Sequence, residues 1–295
     1  MTTLRRDLII HRTPDAVELV DTLLERAVPL PASLGPLPEP GAAVHDSALA
    51  SWLSEHLLAE SPAIDGIREA GWAARARRVV HRPEFGETAG NWGLARTLPP
   101  WVSLAWHEPE RWRRLAEQRA AGTRLLRLEG FLTLEAAADF RATVVATATE
   151  RCENPYASAW WQRDTDAAPS WRAALTQGGL RELLGACCGV VLPSAIQMNA
   201  WRLDRGDHMA LHSDGTRYAA TVSLGLSEAW TAAKGGAIAF GWPTADGLAV
   251  QERWLPHAGD LLLFAVEATL WHAVEEVRHP GRVTLTGQYL LDAGG

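Results

Sequence analysis

Seven short stretches rich in apolar and β-branched residues follow one another between residues 194 and 291, separated by turn residues. They read, in order, SAIQMNAWRL, YAATVSLGL, GGAIAFGW, AVQERWL, DLLLFAV, HAVEEV and RVTLTGQYLL. Stretches of this length, joined by turns that contain Gly and Pro, are typical of antiparallel strands. The pattern therefore predicts a β sandwich or barrel in the C-terminal part of the chain.

The chain before these strands has a different pattern, in which apolar residues recur at helical spacing. This spacing predicts helices over residues 14–28, 47–60, 65–80, 108–121 and about 171–186. The first part of the chain is therefore predicted to consist mostly of helices and turns.

The pattern changes again near Arg124. The stretch RLLRLEGFLT predicts a short strand that ends at Gly130, and LTLEAAADFRATVVATATE predicts a long helix with Thr133 as its N-cap. The Trp-rich stretch NPYASAWWQRDTDAAPSW is predicted to be a loop. Together these patterns predict an α+β protein, with a mostly helical region over residues 1–120 and a β domain over residues 121–295.

Charge and composition exclude some classes of partner. The net charge of -7 disfavours electrostatic binding of nucleic acid or of anionic lipid. The chain has 14 Trp but only 3 Tyr, which favours flat aromatic walls around a cavity or an interface. Three cysteines are too few for a disulfide framework, and no segment has membrane-spanning length, so we expect a cytoplasmic protein without membrane contact. Oligomeric state is left open by the sequence.

Candidate metal ligands occur within the predicted strands. His212 and Asp214 are two residues apart, so on a strand both side chains would lie on one face, about 7 Å apart at Cα. By itself the pair fits either a metal site or two polar loop residues. His272, at the start of a later strand, offers a third ligand, and two histidines with one carboxylate form the facial triad of non-haem iron(II) oxygenases.

A candidate anion receptor follows the second histidine. Arg282 lies ten positions after His272, and strand alternation puts Thr284 on the same face. An arginine fork beside a hydroxyl group suits a carboxylate. A structural metal site in a non-catalytic β-barrel binding module would not need this receptor, so Arg282 favours an enzyme over such a module.

These motifs, in this order, resemble the 2-oxoglutarate/iron(II)-dependent dioxygenases, in particular the prolyl-4-hydroxylase-like branch. The resemblance is carried by AWRLDRGDHMALHSD, by RYAATVSLGLSEAWTAAKGGAIAFGW, by PHAGDLLLF, by WHAVEEV and by GRVTLTGQYL. It covers about residues 124–292 and implies a double-stranded β-helix core of the jelly-roll or cupin type. Residues 1–120 lie outside it.

The resemblance also implies roles for single residues. His212, Asp214 and His272 would ligate iron(II), and Arg282 with Thr284 would bind the co-substrate 2-oxoglutarate. Relatives often have a tyrosine nine residues before the first ligand, but this chain has Leu203 there. Asn199 and Trp201 share the strand face of Leu203 and are expected to take over part of the tyrosine's role.

Asp214 affects the expected reaction. Related halogenases have Gly or Ala at this position, which leaves room for a halide, so the carboxylate favours hydroxylation or another oxidation without halide transfer. The resemblance implies that dioxygen and 2-oxoglutarate are consumed and that succinate and CO2 are released. The expected substrate is a small molecule such as an amino acid or a natural-product intermediate. The alternative is a peptidyl or protein hydroxylase of the prolyl type.

Four further residues are candidates for contact with the substrate. His208 is four residues from His212, at the mouth of the predicted site, and Arg217 flanks the predicted metal loop. Trp160 and Trp161 lie in the Trp-rich stretch, where relatives place loops that face the substrate. For each of them a role in packing or in a surface ion pair is the alternative.

Overall fold

A computed structural model of the chain describes residues 2–5, 8–12, 17–21, 26–38, 41–61, 90–154, 157–212, 214, 218–244, 247–267 and 270–291. The helix predicted over residues 65–80 lies outside the described residues. Among the described helices, none is both long enough and apolar enough to cross a membrane.

The described residues form sixteen strands. Their bounds are β1 (Thr2–Thr3), β2 (Leu8–Arg12), β3 (Val17–Asp21), β4 (Arg26–Pro29), β5 (Ala43–Val44), β6 (Leu126–Leu128), β7 (Glu150–Asn154), β8 (Ala157–Gln162), β9 (Ile196–Leu203), β10 (His208–His212), β11 (Tyr218–Gly225), β12 (Ile238–Thr244), β13 (Gly247–Trp254), β14 (Leu261–Ala265), β15 (Trp271–Val274) and β16 (Arg282–Leu290). All seven strands predicted after residue 194 are present.

Five α-helices are described, namely α1 (Ser47–Glu55), α2 (Pro109–Ala120), α3 (Leu134–Thr147), α4 (Pro169–Thr176) and α5 (Gly179–Cys188). Short 3-10 helices occur at Trp92–Thr97, Leu104–His107 and Ala232–Lys234. Thr133 caps α3 as predicted, because its side chain accepts a hydrogen bond from the amide of Ala136. The single helix predicted over about 171–186 is two helices, since Gly178 between them has a φ of 83°.

The first predicted helix, over residues 14–28, is wrong. Its described parts are strands β3 and β4, which form a three-stranded antiparallel sheet with β2. The ladder buries Leu8 and Leu19 in a cluster that also holds Leu49 and Leu53 of α1. Pairing between strands and burial of these leucines outweigh the local helical spacing here. Among the described residues, this stretch therefore holds strands where a helix was expected.

The main architectural element is one curled, antiparallel sheet of eleven strands. Its order is β13-β12-β15-β10-β8-β9-β16-β11-β14-β6, with β7 paired to β8. The prediction that residues 154–171 form a loop is wrong for β8, which pairs with both β9 and β10. Strand β8 thus closes the side of the barrel between these two strands.

The two faces of this sheet bury different clusters. Apolar residues on the outer face, such as Val222 and Val283, pack with helices α2 to α5. The inner face encloses a second set of side chains, which we call the interior cluster. It consists of Leu125, Ala159, Leu203, Trp230, Ile238, Phe240, Trp254, Leu262, Phe264, Leu270, Val274 and Val277, with Trp201, Met209 and Leu255 packed against it. The predicted α+β class with a β barrel is confirmed. The side chains of the candidate site, described next, point into this interior.

Candidate metal centre and anion receptor

One carboxylate and two imidazoles converge at one end of the barrel. Ligand atoms of His212, Asp214 and His272 all lie within 4.8 Å of one another. His212 ends β10 and is paired with His272 of β15, with ring centroids 4.3 Å apart. The Oδ1 atom of Asp214 lies 3.7 Å from Nε2 of His272. Asp214 stands beyond the end of β10 rather than on the strand, which corrects the expected two-residue strand spacing.

A β-bulge in β10 determines which side chains point into the barrel. The register between β10 and β15 shifts between Met209 and His212, so that both residues face the interior. Met209 packs against the interior cluster. His208 is the neighbour of Met209 on the strand, so its side chain points to the opposite face. The structure therefore does not bring His208 to the candidate site.

The two imidazoles have different surroundings. Nδ1 of His212 donates to the carbonyl of Ala210 at 2.7 Å, which leaves Nε2 with a lone pair for a ligand. His272 is buried against Phe240 and Phe264. Burial, and then the nearby His212, lower the pKa of His272 to about 4, although Asp214 acts in the opposite direction. His272 is therefore neutral near pH 7, which is the form that binds metals.

Two polar side chains fix the orientation of Asp214. The hydroxyl of Thr221 donates to Oδ2 at 2.7 Å, and the side-chain amide of Gln288 donates to Oδ1 at 3.0 Å. Neither residue was predicted from the sequence. Strand alternation could have identified them, because Gln288 shares a face with Arg282 and because Thr221 interrupts an apolar strand.

Asn199 takes part in a hydrogen-bond network with Gln288. Its Nδ2 donates to Oε1 of Gln288 at 3.4 Å, and its Oδ1 accepts from the backbone amide of Asp164 and from Gln197, each at 3.3 Å. Asn199 faces the interior. Its described contacts support Gln288 and, through it, the carboxylate of Asp214.

Arg282 is a buried cation, with 1% of its surface exposed. Its Nε donates to the carbonyl of Gly236 at 2.6 Å, and Nη1 lies 3.4 Å from Oγ1 of Thr284. Nη2 is buried and has no partner among the described residues. Burial lowers the pKa of Arg282 to about 9, so the guanidinium group is still protonated at neutral pH. A buried cation with a free donor is a receptor for an anion.

The paired glycines before β12 make room for this arginine. Gly236 has a φ of 66°, and a Cβ atom there would lie 2.7 Å from Cδ of Arg282. At Gly235, with a φ of 69°, a Cβ atom would lie 2.2 Å from the carbonyl oxygen of Glu276. Both positions therefore require glycine.

The two adjacent tryptophans of β8 lie on opposite faces of the sheet. Trp161 stacks on Trp201 with ring centroids 5.3 Å apart, and Nε1 of Trp201 donates to Oγ1 of Thr286 at 3.0 Å. Trp160 instead lies between the guanidinium groups of Arg151 and Arg202, at 5.5 and 4.9 Å. The structure thus places Trp161 and Trp201 on the inner face and Trp160 outside the candidate site. Arg217 lies outside the described residues.

The sequence model of the 2OG-Fe(II) oxygenase superfamily matches residues 196–289. This range contains all three converging side chains and Arg282. No curated protein sequence matches the chain at a significant level.

Solved structures show the same fold. A prolyl-4-hydroxylase from Pseudomonas putida is 20% identical, with a TM-score of 0.50, and the match covers 60% of this chain and 99% of that one. A 2OG-Fe(II) oxygenase family oxidoreductase from Burkholderia pseudomallei is 16% identical, also with a TM-score of 0.50, over 62% of this chain and 93% of that one. The expected jelly-roll core is thereby confirmed. Residues 196–289 are thus similar to the 2OG-Fe(II) oxygenase superfamily, whose dioxygenases use iron(II), 2-oxoglutarate and dioxygen.

Proposed function

We propose that this chain is a hydroxylase of small molecules in which His212, Asp214 and His272 hold iron(II) and Arg282 binds 2-oxoglutarate. The observation that carries the proposal is that two features occur together in the interior of one barrel. Three ligand atoms lie within 4.8 Å of one another, and a buried guanidinium group has a donor without a described partner.

The residues fit the metal and the co-substrate chemically. Two imidazoles and one carboxylate are the donor set of non-haem iron(II) sites that keep positions open for other ligands. The free Nη2 of Arg282 and the hydroxyl of Thr284 suit a carboxylate oxygen. Bound iron(II) lets dioxygen oxidise 2-oxoglutarate to succinate and CO2, with one oxygen atom inserted into a C–H bond of the substrate.

The remaining residues keep the site oriented and dry. Thr221 and Gln288 hold the two carboxylate oxygens of Asp214. Phe240 and Phe264 cover His272 and exclude water from that side of the centre. Exclusion of water protects a reactive centre from side reactions. Because Asp214 is a carboxylate and not Gly or Ala, we expect oxidation without halide transfer.

The shape of the barrel supports a small substrate. Strand β8 closes the side between β9 and β10, and its Trp161 stacks on Trp201 at the inner face. A closed wall with one flat aromatic surface suits an amino acid or a natural-product intermediate better than an extended peptide. Trp161 is the proposed substrate contact among the residues predicted for that role.

One experiment with two sets of substrates tests the proposed reaction. Purified protein with iron(II), 2-oxoglutarate and air is screened for succinate release, stimulated either by free amino acids and small natural products or by prolyl peptides. Stimulation by small molecules is the expected result, and stimulation by peptides alone would favour the prolyl-type alternative. Absence of succinate with every substrate, and without substrate, would contradict the proposed function.

We also propose a cytoplasmic location. Cys187 and Cys188 are free thiols in the structure, and burial raises the pKa of Cys188 to about 12. Free thiols are typical of reducing compartments. Fractionation of cells that express the protein tests the location, and recovery from an oxidising compartment would contradict it.

A further inference from the structure

Ser223 is a polar residue in the middle of an apolar strand. Its neighbours in β11, Val222 and Leu224, are fully buried and pack in the cluster on the outer face of the sheet. Ser223 itself points to the inner face, as Thr221 does two residues earlier. Only 1% of Ser223 is exposed, and its hydroxyl has no hydrogen-bond partner among the described residues.

A buried hydroxyl without a partner is uncommon and destabilises a fold, because the group loses its hydrogen bonds to water. The nearby Ser227 shows the usual arrangement. Its hydroxyl donates to the carbonyl of Val283 at 3.1 Å and accepts from the amide of the same residue at 2.9 Å. The contrast indicates that the hydroxyl of Ser223 serves a group that is not part of the fold.

The position of Ser223 identifies that group. Its partners across the sheet are Thr286 on one side and Leu262 on the other. On the same face of β11, two residues before Ser223, lies Thr221, which donates a hydrogen bond to Asp214. Two residues after Ser223 lies Gly225, which is paired with Thr284. Ser223 therefore lies between the three converging ligands and the anion receptor at Arg282.

Two neighbouring positions of this interior wall offer no free donor. The residue paired with Arg282 is Leu203, which has no polar group. Nε1 of Trp201 donates to Thr286, whose own hydroxyl lies 3.3 Å from the carbonyl of Asn199. Besides the hydroxyl of Thr284 and the unpartnered Nη2 of Arg282, the hydroxyl of Ser223 is a donor that stays available on this wall among the described residues.

We infer that the hydroxyl of Ser223 donates a hydrogen bond to a carboxylate oxygen of 2-oxoglutarate and so replaces the donor that Leu203 lacks. The inference rests on the proposed function, since it assumes that the co-substrate lies between the metal ligands and Arg282. It makes Ser223 a co-substrate-binding residue with no role in stabilising the unliganded fold.

The test compares Ser223→Ala with Ser227→Ala and the wild type. Dissociation constants for 2-oxoglutarate come from anaerobic titration of the iron(II) protein, read at its visible charge-transfer band. Thermal unfolding of the metal-free proteins is measured in parallel. We expect Ser223→Ala to weaken 2-oxoglutarate binding by about ten- to a hundredfold, the loss of one hydrogen bond to a charged group. Its Tm in the metal-free state should equal or exceed that of the wild type, whereas Ser227→Ala should lower the Tm.

Two results would overturn the inference. One is an unchanged dissociation constant in Ser223→Ala, and the other is a fall in Tm as large as that of Ser227→Ala, which would mean that the fold itself uses the hydroxyl. Failure of the proposed function is recognised separately, because the wild type itself would then show no 2-oxoglutarate-dependent band, and the inference would fall with it.

Discussion

The side-chain amide of Gln288 donates a hydrogen bond of 3.0 Å to Oδ1 of Asp214, the oxygen that faces His272. Thr221 holds the other oxygen. Groups of this kind orient a ligand before the metal arrives, and their loss typically weakens metal binding by about ten- to a hundredfold. We therefore expect Gln288→Leu to weaken iron(II) binding by about tenfold.

The measurement is an anaerobic iron(II) titration of Gln288→Leu, of Thr221→Val and of a control, Gln162→Leu. Gln162 is a glutamine of β8 whose side-chain amide lies 3.5 Å from the carbonyl of Arg163, away from Asp214. The control should bind iron(II) as the wild type does. Equal affinities in all the proteins would show that Gln288 and Thr221 do not support the ligand.

Replacement of Arg282 should separate co-substrate binding from metal binding. Arg282→Gln removes a charge-assisted hydrogen bond, which contributes about 1.5–3 kcal/mol, so 2-oxoglutarate should bind about ten- to a hundredfold more weakly. The 2-oxoglutarate affinity of Arg282→Lys should lie between those of the wild type and Arg282→Gln, because the lysine ammonium cannot present the two-pronged donor of a guanidinium group to a carboxylate. Calorimetric titration with 2-oxoglutarate measures the effect, with iron(II) affinity as the internal reference. An iron(II) affinity that falls as far as the 2-oxoglutarate affinity would contradict a separate anion receptor.

Gly236 should act through Arg282. In Gly236→Ala the new Cβ would meet Cδ of Arg282 at 2.7 Å, so the guanidinium group must shift. We expect 2-oxoglutarate affinity to fall towards that of Arg282→Gln. Gly122→Ala is the matched control, because Gly122 also has a positive φ but nothing lies within 4 Å of a Cβ there. The control should lose about 1–2 kcal/mol of stability from backbone strain and keep its affinity. Similar affinities in the two variants would refute the steric argument.

Asp207 and Arg151 should make stability depend on pH. Arg151 donates to both carboxylate oxygens of Asp207, at 2.8 and 2.9 Å, and Ser158 adds a third hydrogen bond. Burial by itself raises the pKa of Asp207, but these hydrogen bonds and that from the amide of Asp204 outweigh it and lower the pKa. The folded state therefore binds the proton more weakly than the unfolded state does. The ion pair contributes its full stability above the usual aspartate pKa, and this stability is lost as the pH falls through the lowered value.

We expect Asp207→Asn to lower the free energy of unfolding by about 1–2 kcal/mol at pH 7, a modest value because Arg151 is partly exposed. The difference from the wild type should shrink below about pH 4. Urea unfolding at several pH values measures this difference. Asp204→Asn is the control, because the side chain of Asp204 is more exposed and its ion pair with Arg202 is longer, at 3.6 Å. A difference that does not change with pH would rule out the ion pair as its cause.

The strands and the convergence of His212, Asp214 and His272 could be predicted because alternation and order along the chain are local signals. Strand β8 could not, since its Trp-rich sequence resembles a loop and its pairing with β9 and β10 is set by the tertiary fold. The bulge at Met209 could likewise not be predicted from the sequence, and it moves His208 to the outer face. Residues 14–28 show that helical spacing alone does not decide between a helix and a sheet.

The polar residues that support the site were missed for a related reason. Gln288, Thr221 and Ser223 are single polar residues in largely apolar strands, and a sequence does not say which of two faces is the interior. Once Arg282 is placed inside, alternation assigns Thr284, Thr286 and Gln288 to the same face. The register with β9 and β11 then brings Asn199 and Ser223 beside them.

The most direct test of the proposed centre is the visible spectrum of the anaerobic protein with iron(II) and 2-oxoglutarate. The wild type and His208→Ala, a histidine variant on the outer face, should both develop a weak charge-transfer band when 2-oxoglutarate is added. His272→Ala should develop none. Absence of the band in the wild type, or an undiminished band in His272→Ala, would contradict the assignment of His212, Asp214 and His272 as the iron site.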